Sequence, residues 1–99
     1  MEKMKTREEI LAALANHKAE LARRFPLRRV ALFGSYARGD QHPGSDVDIL
    51  VEVDPSIGWE FVSLADAFED AVGLPVDLVS RGAVTPRGWK VIEPELIDV

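Results

Sequence analysis

The sequence predicts an α+β (α/β) chain in which helices alternate with short β-strands. Three observations lead there. The chain opens on a capped segment whose apolar residues recur at three- and four-residue steps. Apolar runs of strand length follow, RVALF, DVDILVEV and PVDLV. Glycines and prolines stand between these segments and separate them. Ninety-nine residues suit one small domain, residues 1–99.

Thr6-Arg7-Glu8-Glu9 has the form of a capping box, so a helix is expected to begin near Thr6. Ile10, Leu14, His17, Leu21 and Phe25 mark its buried face. Pro26 disfavours the α region at Phe25 and ends it. Arg29 to Phe33 reads as a buried strand. Gly34 to Gly39 (GSYARG) reads as a tight turn into a short helix, and Asp40 to Ser45 (DQHPGS) as a loop. Asp46 to Val53 is the second strand, and Asp54 to Gly58 another loop. Phe61, Leu64, Ala65, Phe68 and Val72 repeat at helical spacing, which predicts a helix over 59–72 stopped by Gly73. Pro75 to Val79 is the third strand. In the tail, Pro86 starts a short helix that runs to about Glu93, and Pro94 ends it.

Composition excludes several kinds of chemistry. There are no cysteines, so a disulfide scaffold, a thiolate zinc site and a cysteine nucleophile are ruled out. His17 and His42 lack metal-ligand spacing. The N-terminus has no signal-peptide core and no stretch is long enough to span a bilayer, so the expectation is a cytoplasmic protein without a membrane partner. The net charge of -5 argues against general nucleic-acid binding. Charge is also uneven. Residues 1–40 hold nine Lys/Arg and five Asp/Glu, a net of +4, and residues 41–99 hold three and twelve, a net of -9. Most of these charges are solvated surface, but back-half carboxylates are suited to collecting a divalent cation or facing a basic partner.

Three features carry the chemistry. Gly34-Ser35 lies at a strand-to-helix turn, where glycine permits close backbone approach, the helix start offers unpaired N–H groups to phosphate, and Ser35 adds a hydroxyl. Gly-Ser turns are common, so this signal is weak alone. Asp46 and Asp48 are two residues apart on a strand, which puts both carboxylates on one face about 6–7 Å apart, within reach of shared cations. An exposed strand face is the plain alternative, yet the Ile49-Leu50-Val51 run marks this strand as buried. Asp77 is the one acid in a third apolar run, and beside the second strand it would complete a three-carboxylate site. Oxygen-only ligation suits Mg²⁺ or Mn²⁺. A phosphate-cradling turn beside three carboxylates is the layout of two-metal phosphoryl or nucleotidyl transfer.

Gly34-Ser35, ten intervening residues and Asp46-x-Asp48 resemble the signature of the minimal nucleotidyltransferases of the DNA polymerase β-like superfamily. LFGSYARG at 32–39, SDVDILV at 45–51 and VDLV at 76–79 extend the likeness in the family's order. The resemblance implies a small mixed β-sheet with flanking helices and a metal-dependent site that uses ATP and two Mg²⁺ ions, with Mn²⁺ as a substitute. It also implies an antitoxin role. Such antitoxins transfer AMP from ATP to a tyrosine hydroxyl of a HEPN-domain ribonuclease toxin. Carried over, Gly34 and Ser35 would hold the β/γ-phosphates and Asp46 and Asp48 would bridge the metal ions. Asp77 would hold the metal near the acceptor oxygen and help deprotonate it. The helical substrate domain of larger relatives is not present in these residues, which favours an acceptor supplied by the partner.

Arg38 lies in the same segment, and phosphate contact, orientation of a site carboxylate and a structural ion pair all stay open for it. Tyr36 and His17 are read as packing residues, His42 as a loop residue, and Trp59 and Trp89 as core or lid. Arg23, Arg24, Arg28 and Arg29 are read as a solvated cluster around Pro26. Two alternatives stand beside catalysis on a toxin. One is neutralisation by contact alone, through the acidic back half. The other is nucleotide transfer to a small molecule or an RNA end.

Overall fold

The computed structural model describes residues 5–99. Helix α1 spans Arg7–Arg24. The expected capping box closes it: the Glu9 amide donates to Thr6 Oγ1 at 3.1 Å and the Thr6 amide donates to Glu9 Oε1 at 3.0 Å. Ile10, Leu14 and Leu21 are its buried residues, and the extended Phe25 ends it. His17 is only half-buried, because its Nδ1 pairs with the Ala13 carbonyl of its own helix at 2.8 Å rather than packing inward.

Strand β1 (Leu27–Phe33) begins two residues earlier than the apolar run suggests, with a register shift between Leu27 and Arg29 where its pairing to the neighbouring strand begins. A five-residue helix, α2 (Gly34–Arg38), follows at once. Strand β2 covers Val47–Val53, helix α3 Glu60–Val72, and strand β3 Val76–Ser80. Helix α4 (Pro86–Ile92) opens on Pro86 with Thr85 Oγ1 capping the Gly88 amide at 3.0 Å. A 3-10 turn at Glu93–Glu95 then leads into a two-residue strand, β4 (Ile97–Asp98), which the sequence pattern does not reveal.

The four strands form one mixed sheet in the order β3-β2-β1-β4. β1 runs antiparallel to β2 and to β4, and β2 runs parallel to β3. Strand alternation divides the sheet faces. Val30 and Leu32 of β1 and Val47, Ile49 and Val51 of β2 join Leu14, Leu64 and Phe68 of α1 and α3 in the core. Each such fully buried side chain stabilises the fold by roughly 1.5–3 kcal/mol. Residues of opposite parity, Asp48 among them, turn to the other face. β3 differs from expectation: it is an edge strand and half-buried rather than enclosed.

Candidate active site

Where β1 ends, the backbone turns through Gly34, whose φ is +77°. That is left-handed space in which a side chain is strained. The turn also lies hard against β2: a Cβ on Gly34 would sit 2.0 Å from Asp48 Oδ2. Only glycine lets the strand-to-helix turn approach the carboxylate this closely. Ser35 follows, half-buried, and its carbonyl accepts the Gly39 and Asp40 amides at 2.9 and 3.1 Å.

The loop back to β2 is held by Ser45, whose Oγ accepts the His42 amide at 3.0 Å. Asp46 is exposed and stands just before β2, not within it. Asp48 is the second residue of β2 and half-buried. Its register partners are Phe33 on one side and Asp77 on the other, which places it between the Gly34 turn and β3. Asp77 is the second residue of β3 and exposed. Val76 and Leu78 pack against the core, so Asp77 points away from it, on the same face as Asp48.

The local field is strongly negative. Burial first, and then the nearby Asp77 and Asp46 carboxylates, together raise the Asp48 carboxyl from its ordinary 3.8 to about 6. Glu95 adds to the effect, and only Arg38 opposes it. An excess of carboxylate charge with oxygen donors fits a hard divalent cation. Among the described residues, no three acidic or histidine side chains are already drawn into a metal-binding cluster. The backbone register makes Asp48 and Asp77 neighbours on an open face.

Residues 14–97 match the model of the nucleotidyltransferase domain family. The chain belongs to that family.

This nucleotidyltransferase is 43% identical over 101 residues to a Methanocaldococcus jannaschii protein provisionally named a protein adenylyltransferase, covering 97% of this chain and 100% of the relative. It is 41% identical over 98 residues to the protein adenylyltransferase MntA of Thermococcus cleftensis, covering 97% and 98%. A solved structure provisionally named a minimal nucleotidyltransferase superposes with a TM-score of 0.81 at 30% identity, covering 99% of this chain and 100% of the other. Two further structures are complexes. One is a toxin–antitoxin pair with AMP-PNP (TM-score 0.56, 26% identity, 95% of this chain and 72% of the other). The other is a tri-AMPylated Shewanella oneidensis HEPN toxin with its MNT antitoxin (TM-score 0.58, 25% identity, 91% and 70%). The small mixed sheet with flanking helices is therefore the minimal nucleotidyltransferase fold.

Arg38 of the nucleotidyltransferase closes α2 and holds two carboxylates, Asp40 Oδ2 at 3.0 Å and Glu95 Oε2 at 2.8 Å. Glu95 is the residue that sequence reasoning misses. Its Oε1 accepts the Gly34 amide at 3.0 Å across 61 residues of chain, and nothing in the spacing of the tail signals that contact.

The residues set aside in the sequence sort differently. Tyr36 is buried, as a packing residue, and His42 is an exposed loop residue. Trp59 is 93% exposed and belongs to no core, while Trp89 carries the Arg81 guanidinium 3.8 Å above its ring. Two surface clefts lie elsewhere, about 380 Å³ between α1 and α3 and about 570 Å³ at the far end of the sheet. Neither is lined by Gly34, Ser35, Asp46, Asp48 or Asp77. Among the described residues, no helix is long and apolar enough to cross a membrane.

Proposed function

We propose that this nucleotidyltransferase is an antitoxin protein adenylyltransferase that moves AMP from ATP to a tyrosine hydroxyl of a partner HEPN ribonuclease. It works in the cytoplasm, where ATP is supplied. The observation that carries the reading is the register pairing of Asp48 with Asp77 beside the Gly34 turn. The names of the relatives and the complexes of the structural neighbours support it.

In this reading the Gly34 amide and the Ser35 hydroxyl hold the β- and γ-phosphates, with Arg38 adjacent. Asp46, Asp48 and Asp77 would hold the two divalent cations, Mg²⁺ or Mn²⁺. When bound, the cations lower the acceptor hydroxyl's pKa and stabilise charge on the α-phosphate and the departing pyrophosphate. Asp77 takes the hydroxyl proton as the acceptor oxygen bonds to the α-phosphorus and the bond to pyrophosphate breaks. Asp77 lies exposed on an edge strand, which suits an acceptor presented by another macromolecule.

The test is label transfer from α-labelled ATP, with Mg²⁺, to a co-expressed HEPN partner, read also as added AMP mass. Transfer that is lost in Asp46→Asn/Asp48→Asn supports the reading. A folded, metal-supplied protein that transfers nothing overturns it. A double variant that neutralises the toxin as well as the parent protein replaces catalysis with contact.

A further inference from the structure

The Glu95 carboxylate occupies both anion-recognising groups beside the acidic cluster. One oxygen takes the Gly34 amide at 3.0 Å and the other takes Arg38 Nη1 at 2.8 Å. Gly34 has a single amide hydrogen, and a carboxylate and a phosphate cannot both receive it with good geometry. Glu95 also adds negative charge to a neighbourhood already crowded with Asp46, Asp48 and Asp77, so its position depends on those two contacts.

Glu95 sits in a short segment with few backbone ties to the sheet. It is a three-residue 3-10 turn, followed by a β4 strand that has only two register pairs with β1, Ala31 with Asp98 and Leu32 with Ile97. Beyond the turn the tail is anchored separately. Arg29 Nε holds Asp98 Oδ1 at 2.7 Å, and the Val99 amide donates to the Val30 carbonyl at 3.1 Å. The contacts that hold the end of the sheet are thus separate from the two that hold the Glu95 carboxylate.

We propose that Glu95 is an internal stand-in for phosphate: it closes the Gly34 turn in the nucleotide-free protein and must leave before a nucleoside triphosphate seats. Its departure frees Arg38 for the incoming phosphates. This rests on the nucleotidyltransferase reading of Gly34, and it makes the tail a latch on nucleotide entry rather than a further cation ligand.

The experiment measures affinity of the full chain for a non-hydrolysable ATP analogue with Mg²⁺ by titration calorimetry. Parent, Glu95→Ala, Glu95→Gln and, as control, Glu93→Ala proteins are compared, each checked for folding by circular dichroism. Glu95→Ala is expected to bind about three- to ten-fold more tightly, Glu95→Gln to fall between, and Glu93→Ala to match the parent. In the parent, amide exchange over residues 95–97 is expected to speed up when the analogue binds. Equal or weaker binding by folded Glu95 variants, with a parent that binds, overturns the latch alone. If neither parent nor variants bind, the phosphate-site reading of Gly34 falls and the latch with it. Binding by the Glu95 variants only supports the latch most directly.

Discussion

Asp48 and Asp77 are register partners on adjacent parallel strands, one residue in from the start of each. Neighbouring strands lie about 4.8 Å apart, so two carboxylates face solvent side by side with no basic residue between them in the sheet. That pairing governs most of what the site is expected to do.

Asp48→Asn and Asp77→Asn are each expected to reduce AMP transfer by about two orders of magnitude or more, since each removes a charged oxygen donor. Fold stability is expected to move the other way. Asp48→Asn relieves like-charge repulsion and desolvation, for a gain of about 1 kcal/mol at neutral pH once solvent screening of this half-exposed site is allowed for. Urea denaturation alongside the transfer assay checks both.

The same carboxyl sets a pH dependence. Asp48 titrates near 3.8 when unfolded and at about 6 in the folded chain, so the folded state binds this proton more tightly. The destabilisation is absent below about pH 4, grows as pH rises towards 6 and is complete above it. The stability difference between Asp48→Asn and the parent should follow that course. Cation affinity should fall as pH drops below about 6, because the proton competes with the metal. Denaturation and Mn²⁺ titrations at a series of pH values measure these two curves.

Glycine substitutions separate strain from contact. Gly34→Ala meets both a positive φ and the Asp48 carboxylate, and is expected to destabilise by about 2–3 kcal/mol and abolish transfer. Gly39 has a similar φ of +82° but nothing within 4 Å of a new Cβ. Gly39→Ala is expected to destabilise by only about 1 kcal/mol and leave transfer intact. Thermal unfolding and the label assay distinguish the two.

Arg29 ties the tail to the sheet through Asp98 and reaches Glu52 at 3.1 Å. The pairing holds the Asp98 carboxyl below the usual carboxylate range. Arg29→Ala is expected to lower global stability by about 1 kcal/mol or less, because the pair is partly exposed. Its main effect should be local, with faster amide exchange at Ile97 to Val99.

Much of this is legible in the sequence. The Thr6 capping box, the Pro26 stop, the Gly73 stop and the run from Gly34 to Asp48 all act within a few residues, and local chemistry determines them. The convergence of Asp77 with Asp48 was less so, because it needs a parallel crossover through α3 that spacing alone does not specify. β4 and Glu95 were not legible. Two paired residues carry no periodicity, and the Gly34–Glu95 hydrogen bond links distant parts of the chain. Of the core-or-lid reading of Trp59 the core half fails: a large apolar side chain is more often buried, yet this one is exposed.

The alternation along β3 has one more consequence. Sliding that strand by a single residue against β2 would drive Asp77 into the apolar layer beneath the sheet and expel Val76 and Leu78 to water. The chain thus has no inexpensive way to fold with a mispaired third strand: the arrangement that keeps its interior dry is the same one that sets the acids side by side, so a misaligned copy would be unstable before it could be inactive.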